Sequence, residues 1–122
     1  MFFPAGDWLR AFILTVLVEV PVATYLLRRA DPQPWRTAAL VFFANLASHP
    51  LVWYVWTQVF LFDSTPFVVV AETWAIALEA VFYFIAFRDL PLSRAVLVSL
   101  IANVASFAVG RLVMQLWPEV LR

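Results

Sequence analysis

Residues 19–28 read EVPVATYLLR and residues 79–88 read EAVFYFIAFR, so a glutamate nine positions before an arginine occurs twice in apolar sequence, at an offset of 60. The following segments repeat as well. Residues 36–48, RTAALVFFANLAS, and residues 94–106, RAVLVSLIANVAS, match at an offset of 58, each with an asparagine nine positions after an arginine. The chain therefore reads as two tandem copies of one helical hairpin, about residues 8–62 and 66–117 of a single membrane domain. Nine helical residues rise about 13 Å, which places Glu19, Asn45, Glu79 and Asn103 at one depth. That layer lies near the middle of a bilayer, where a polar side chain needs a reason.

Composition points the same way. At 65% apolar residues, 13% charged residues and two glycines in 122 positions, a soluble domain would lack the polar surface to cover its core. Four apolar stretches, about Trp8–Leu27, Thr37–Phe62, Pro66–Phe87 and Ala95–Trp117, meet the roughly 20 residues that a ~30 Å hydrocarbon core demands. The fold class expected is an all-α integral membrane protein of four transmembrane helices. The first stretch carries Glu19 and Pro21 with no basic run before it, so it reads as a retained helix rather than a signal peptide. A formal charge of zero supplies no basic footprint for nucleic acid, and the absence of cysteine removes disulfide and thiol chemistry. The partners expected are the lipid bilayer and, beyond it, a second copy of the chain or a larger membrane complex.

The connections are short and rich in Pro and Asp: residues 29–35, 63–66 and 89–93. Arg28, Arg29, Arg36, Arg88 and Arg94 flank the first and third of them, against Arg10, Arg111 and Arg122 on the other side. By the positive-inside rule both termini lie outside, as in a bacterial cytoplasmic membrane. Two hairpins pointing the same way imply a pseudo-two-fold along the membrane normal. Glu19 then faces Glu79, and Asn45 faces Asn103. Small residues Ala44 and Ser48, and Ala102, Ser106 and Gly110, recur every four positions, so two helix faces allow close backbone approach, and the second and fourth helices are expected to pack near that axis.

Two facing carboxyls away from water are expected to share a proton, and the two amides can bond to either form, closing a hydrogen-bonded ring. His49 breaks the repeat, because Phe107 stands at its equivalent. One turn beyond Asn45, it views the same space from about 6 Å further out. Three readings follow. The layer binds or conducts protons, cations or a small cationic solute; it is structural glue in an accessory subunit; or Glu19, Glu79 and His49 hold a divalent metal in an intramembrane metalloenzyme, with Asn45 and Asn103 behind them. Pro21 and Pro50 are expected to open the helices beside these groups, and Trp53 and Trp74 to border a cavity. Glu72, two turns before Glu79, lies at nearly the depth of Arg111, as an outer ion pair or as an entry gate. Trp8, Trp35, Tyr54, Trp56 and Trp117 sit toward segment ends, where interfacial anchors belong. Ser48 and His49 are adjacent and diverge by about 100° on a helix, so they form no dyad. Neither a glycine-rich phosphate loop nor a pair of histidines at zinc spacing occurs.

The segment of residues 17–24, LVEVPVAT, resembles the first helix of the small multidrug resistance transporters, which carries a single essential glutamate in a four-helix chain. The second glutamate, the duplicated hairpins and the scarcity of glycine depart from that family. The Glu, His and Asn inventory resembles that of intramembrane prenyl-protein endopeptidases, whose paired-glutamate motif and second metal-site helix this chain lacks. No family is assigned on either likeness.

Overall fold

The computed structural model describes residues 5–120. The chain is all-helical: α1 (Ala5–Leu26), α2 (Pro34–Val59), α3 (Thr65–Ala86) and α4 (Leu92–Leu116), each long and apolar enough to cross a membrane. This fits a multi-pass membrane protein. The outward faces carry large apolar side chains such as Leu17 (66% exposed) and Ile85 (75% exposed), a surface that water would penalise at roughly 25 cal/mol per Å².

Local chemistry sets the helix ends. Pro34 opens α2 and Pro66 lies in the first turn of α3, where a missing N–H costs nothing. Ser64 caps α3 by accepting from the Phe67 amide at 3.3 Å. Asp63, just before it, turns the chain with φ 61°, a left-handed conformation that Asp tolerates better than most residues. In the α1–α2 connection Asp31 accepts from the Gln33 amide at 2.9 Å and pairs with Arg36 Nε at 3.1 Å.

Proline does less than the sequence suggests. α1 runs without interruption through Pro21. After Pro50 the helix widens into a π-helical turn over Val52–Trp56 instead of unwinding, and Thr57 Oγ1 returns a hydrogen bond to the Trp53 carbonyl.

The helices form a four-membered bundle in which α1 packs on α2 and α4, and α3 packs on the same two. α1 and α3 lie on one diagonal, α2 and α4 on the other. The asparagine-bearing helices thus seat mainly against α1 and α3. Ala44 and Ala102 are buried against the neighbouring helices, whereas a Cβ at Gly110 would meet nothing within 4 Å beyond its chain neighbours and its own helix backbone.

Packing is uneven along the bundle. The end that carries the α1–α2 and α3–α4 connections is solid: Leu27, Val41, Tyr83, Phe87 and Val98 interlock around Ala23, Ala95 and Ala102. Toward the other end the bundle is hollow.

Candidate functional site

The polar layer stands where solid and hollow halves meet. Glu19, Glu79 and Asn45 are each 1% exposed and Asn103 is 4% exposed. The carboxyls of Glu19 and Glu79 approach closely enough to interact directly across the α1–α3 diagonal.

Serine supplies the crossing bonds. Ser48 Oγ on α2 donates to Glu79 Oε1 at 2.8 Å, and Ser106 Oγ on α4 donates to Glu19 Oε1 at 2.5 Å. Both hydroxyls sit one turn past their asparagine and also approach its carbonyl, at 3.3 and 3.0 Å. The amides behave unequally. Asn103 Nδ2 donates to Glu79 Oε2 at 2.8 Å and to the Ser99 carbonyl at 2.9 Å. Asn45 approaches Glu19, but its Nδ2 is aimed at the Val41 carbonyl, 3.0 Å away. Both Glu79 oxygens are satisfied; Glu19 Oε2 and Asn45 Oδ1 are buried with no partner. The expected ring is closed on one side only.

A cavity of about 330 Å³ leads to this layer. Its lining uses residues 7–19 of α1, 45–53 of α2, 67–79 of α3 and 103–114 of α4, with Phe62, Asp63 and Pro118 at the mouth. Every helix thus lines it from one end of the bundle as far as the Glu/Asn layer and no further. Five carboxyl residues, Asp7, Glu19, Asp63, Glu72 and Glu79, share this wall with one arginine and one histidine. Field lines in such a low-dielectric cleft favour cations.

Arg111 is spoken for. Its guanidinium forms a two-pronged pair with the Asp63 carboxylate, at 3.1 and 2.5 Å, and lies 5.1 Å from the centre of the Phe107 ring. Glu72 therefore has no ion pair with it and, among the described residues, no hydrogen bond. It stands in the cavity wall between mouth and layer.

His49 also lines the cavity, but its ring packs among Trp8, Phe12 and Trp53, at centroid distances of 6.3, 5.4 and 6.3 Å. Among the described residues no group of three His, Asp or Glu side chains gathers at metal-binding spacing. The extra turn between Asn45 and His49 brings the imidazole into the aromatic cluster, on the wall of the same cavity that Glu19 and Glu79 line. Trp53 borders the cavity, whereas Trp74 stacks edge-on against Trp56 at 5.9 Å. Trp8 and Trp56 likewise face aromatic neighbours inside the protein, while Trp35 and Trp117 project outward.

Three contributors escape the sequence reading. Ser48 and Ser106 belong to the duplicated pattern and lie on the same helical face as the asparagines, a signal sufficient to find them. Tyr83, one turn past Glu79, is fully buried beneath the carboxyl pair with its hydroxyl unpartnered. Its equivalent in the first hairpin is Ala23, so the two copies differ directly under the site.

Compared with protein-family profiles, curated proteins and solved structures, the chain finds no match.

Proposed function

We propose that this chain is a small multi-pass membrane protein that binds a cation, a proton or a small cationic solute at the Glu19/Glu79 layer, admitted through the acidic cavity. The observation that carries the reading is the coincidence of three features at one place. A cavity wide enough for a solute ends on two buried carboxyls, the ionisable groups in its largely apolar wall are mostly acidic, and two oxygen acceptors at its end lack donors. An intramembrane carboxyl with an unfilled hydrogen-bonding capacity is expensive unless something occupies it.

The crossed serine bonds support the proposed pseudo-two-fold: Ser48 reaches Glu79 and its equivalent Ser106 reaches Glu19. With the arginine-flanked connections inside, the cavity opens to the outside, the side on which both termini are proposed to lie. The second reading, glue in a larger membrane complex, draws on Glu79, whose acceptors are all used within the bundle.

The test is reconstitution. Wild-type protein in liposomes is expected to carry proton-coupled or cation flux. The double variant Glu19→Gln/Glu79→Gln keeps the size and hydrogen bonding of the layer, removes its titration, and is expected to fold and lose that flux. A double variant that folds and retains full flux contradicts transport at this layer.

A further inference from the structure

The two carboxyls are equivalent in sequence and unequal in their bonding. Glu79 has a donor on each oxygen, Ser48 on Oε1 and Asn103 on Oε2. Glu19 has Ser106 on Oε1 and none on Oε2, and the amide that should serve it by symmetry is turned to the Val41 carbonyl. Were Asn45 Nδ2 to swing onto Glu19, Asn45 Oδ1 would still lack a donor. What this end of the cavity lacks is therefore hydrogen, supplied either by a proton on Glu19 itself or by the N–H groups of a ligand.

The walls say what lies behind that donor. Trp53, Phe62, Phe67 and Phe107 line the cavity above the carboxyls, with Trp53–Phe62 and Phe62–Phe67 centroids 5.5 and 5.2 Å apart. A volume of 330 Å³ is about ten times the roughly 30 Å³ share of one water. It suits a solute with an apolar body better than a bare ion, and ring faces favour a cationic neighbour.

Resting on the cation-binding reading above, we infer that Glu19, and not Glu79, is the ligand-binding carboxyl, and that it accepts the N–H donors of a protonated primary or secondary arylalkylamine in exchange for a proton. The exchange balances. The ligand-free site holds one hydrogen on Glu19. An incoming ammonium cation brings its own N–H donors to Glu19 Oε2 and Asn45 Oδ1, and the displaced proton leaves to solvent through the cavity. Around Glu19 the other titratable groups are Glu79, Tyr83 and Glu72 from α3, His49 from α2 and, toward the mouth, Arg111 from α4 held by Asp63 and Asp7 from α1 itself. Glu79 acts as a positioning residue: its two bonds, from Ser48 of α2 and Asn103 of α4, fix the diagonal against which Glu19 works.

Calorimetry on detergent-purified wild-type protein at pH 7, with benzylammonium and benzyltrimethylammonium as probes in buffers of different ionisation enthalpy, tests this. Benzylammonium is expected to bind with release of about one proton. The quaternary ion has the same ring and charge and no N–H, and is expected to bind at least about tenfold more weakly. Glu19→Gln should remove the proton release and weaken benzylammonium by at least about tenfold, whereas Glu79→Gln, whatever it does to affinity, should retain the release of about one proton on binding. Equal binding of both ions, binding to the wild type without proton release, or proton release lost in Glu79→Gln as well as in Glu19→Gln overturns the assignment to Glu19 while leaving a cation-binding cavity. Binding of neither ion overturns both the inference and the reading beneath it. The wild-type comparison stands whether or not a variant folds.

Discussion

Ser106 Oγ donates to Glu19 Oε1 across 87 positions of sequence, tying the last helix to the first at the level of the buried carboxyls. Its counterpart, Ser48 to Glu79, ties α2 to α3. Replacing either serine by alanine removes one interhelical bond, worth about 0.6 to 2 kcal/mol in a membrane protein. Ser106→Ala should cost more than Ser48→Ala, because Glu79 retains the Asn103 donor at 2.8 Å while Glu19 retains only its approaches to Asn45 and Glu79. Unfolding of both variants in mixed detergent micelles measures the difference, and a reversed order would contradict the unequal bonding.

Packing differs along a single helix, and α4 shows it. Ala102 is fully buried in the solid half, so Ala102→Leu must displace neighbours and should cost about 1 to 3 kcal/mol. Gly110 lines the cavity with open space around its missing Cβ, and Gly110→Ala should be neutral or stabilising by up to about 1 kcal/mol through helix propensity. The same unfolding measurement checks both, and a destabilising Gly110→Ala would mean that the cavity half is closed.

Tyr83 combines a well-packed ring with a buried hydroxyl that has no partner. Tyr83→Phe keeps the ring and discards the unsatisfied group, so it should leave stability unchanged or raise it by about 1 kcal/mol. Tyr83→Ala should cost about 3 to 5 kcal/mol, as loss of a large core aromatic does. A large loss in Tyr83→Phe would show instead that the hydroxyl is bonded in the working protein.

Helix number and approximate limits were legible in the chain because four apolar stretches of the right length are separated by Pro- and Asp-rich connections. The polar layer was legible because nine-residue spacings in both copies converge on one depth. What escaped are the properties that depend on rotation about each helix axis. Spacing gives His49 the right depth, yet the lateral position of its ring, among Trp8, Phe12 and Trp53, depends on how α2 turns against α1. The choice of Asp63 over Glu72 as the partner of Arg111 likewise depends on the backbone of the α2–α3 turn, where Asp63 adopts a positive φ. Pro50 signals a disturbance without saying that a wide turn will absorb it.

A half-open bundle whose accessible space ends at Glu19 and Glu79 can be measured directly, since the chain has no cysteine of its own. Single cysteines at Ala11, Ala71 and Ala75 fall on the cavity wall, and single cysteines at Ala23, Ala95 and Ala102 fall in the packed half. In protein reconstituted in liposomes, a membrane-impermeant cationic methanethiosulfonate should label the first three from the side of the termini and leave the other three unlabelled until the protein is unfolded. Labelling of Ala95→Cys or Ala102→Cys in the folded protein, or protection of Ala71→Cys and Ala75→Cys, would contradict a cavity that opens at one end and stops at the carboxyl pair.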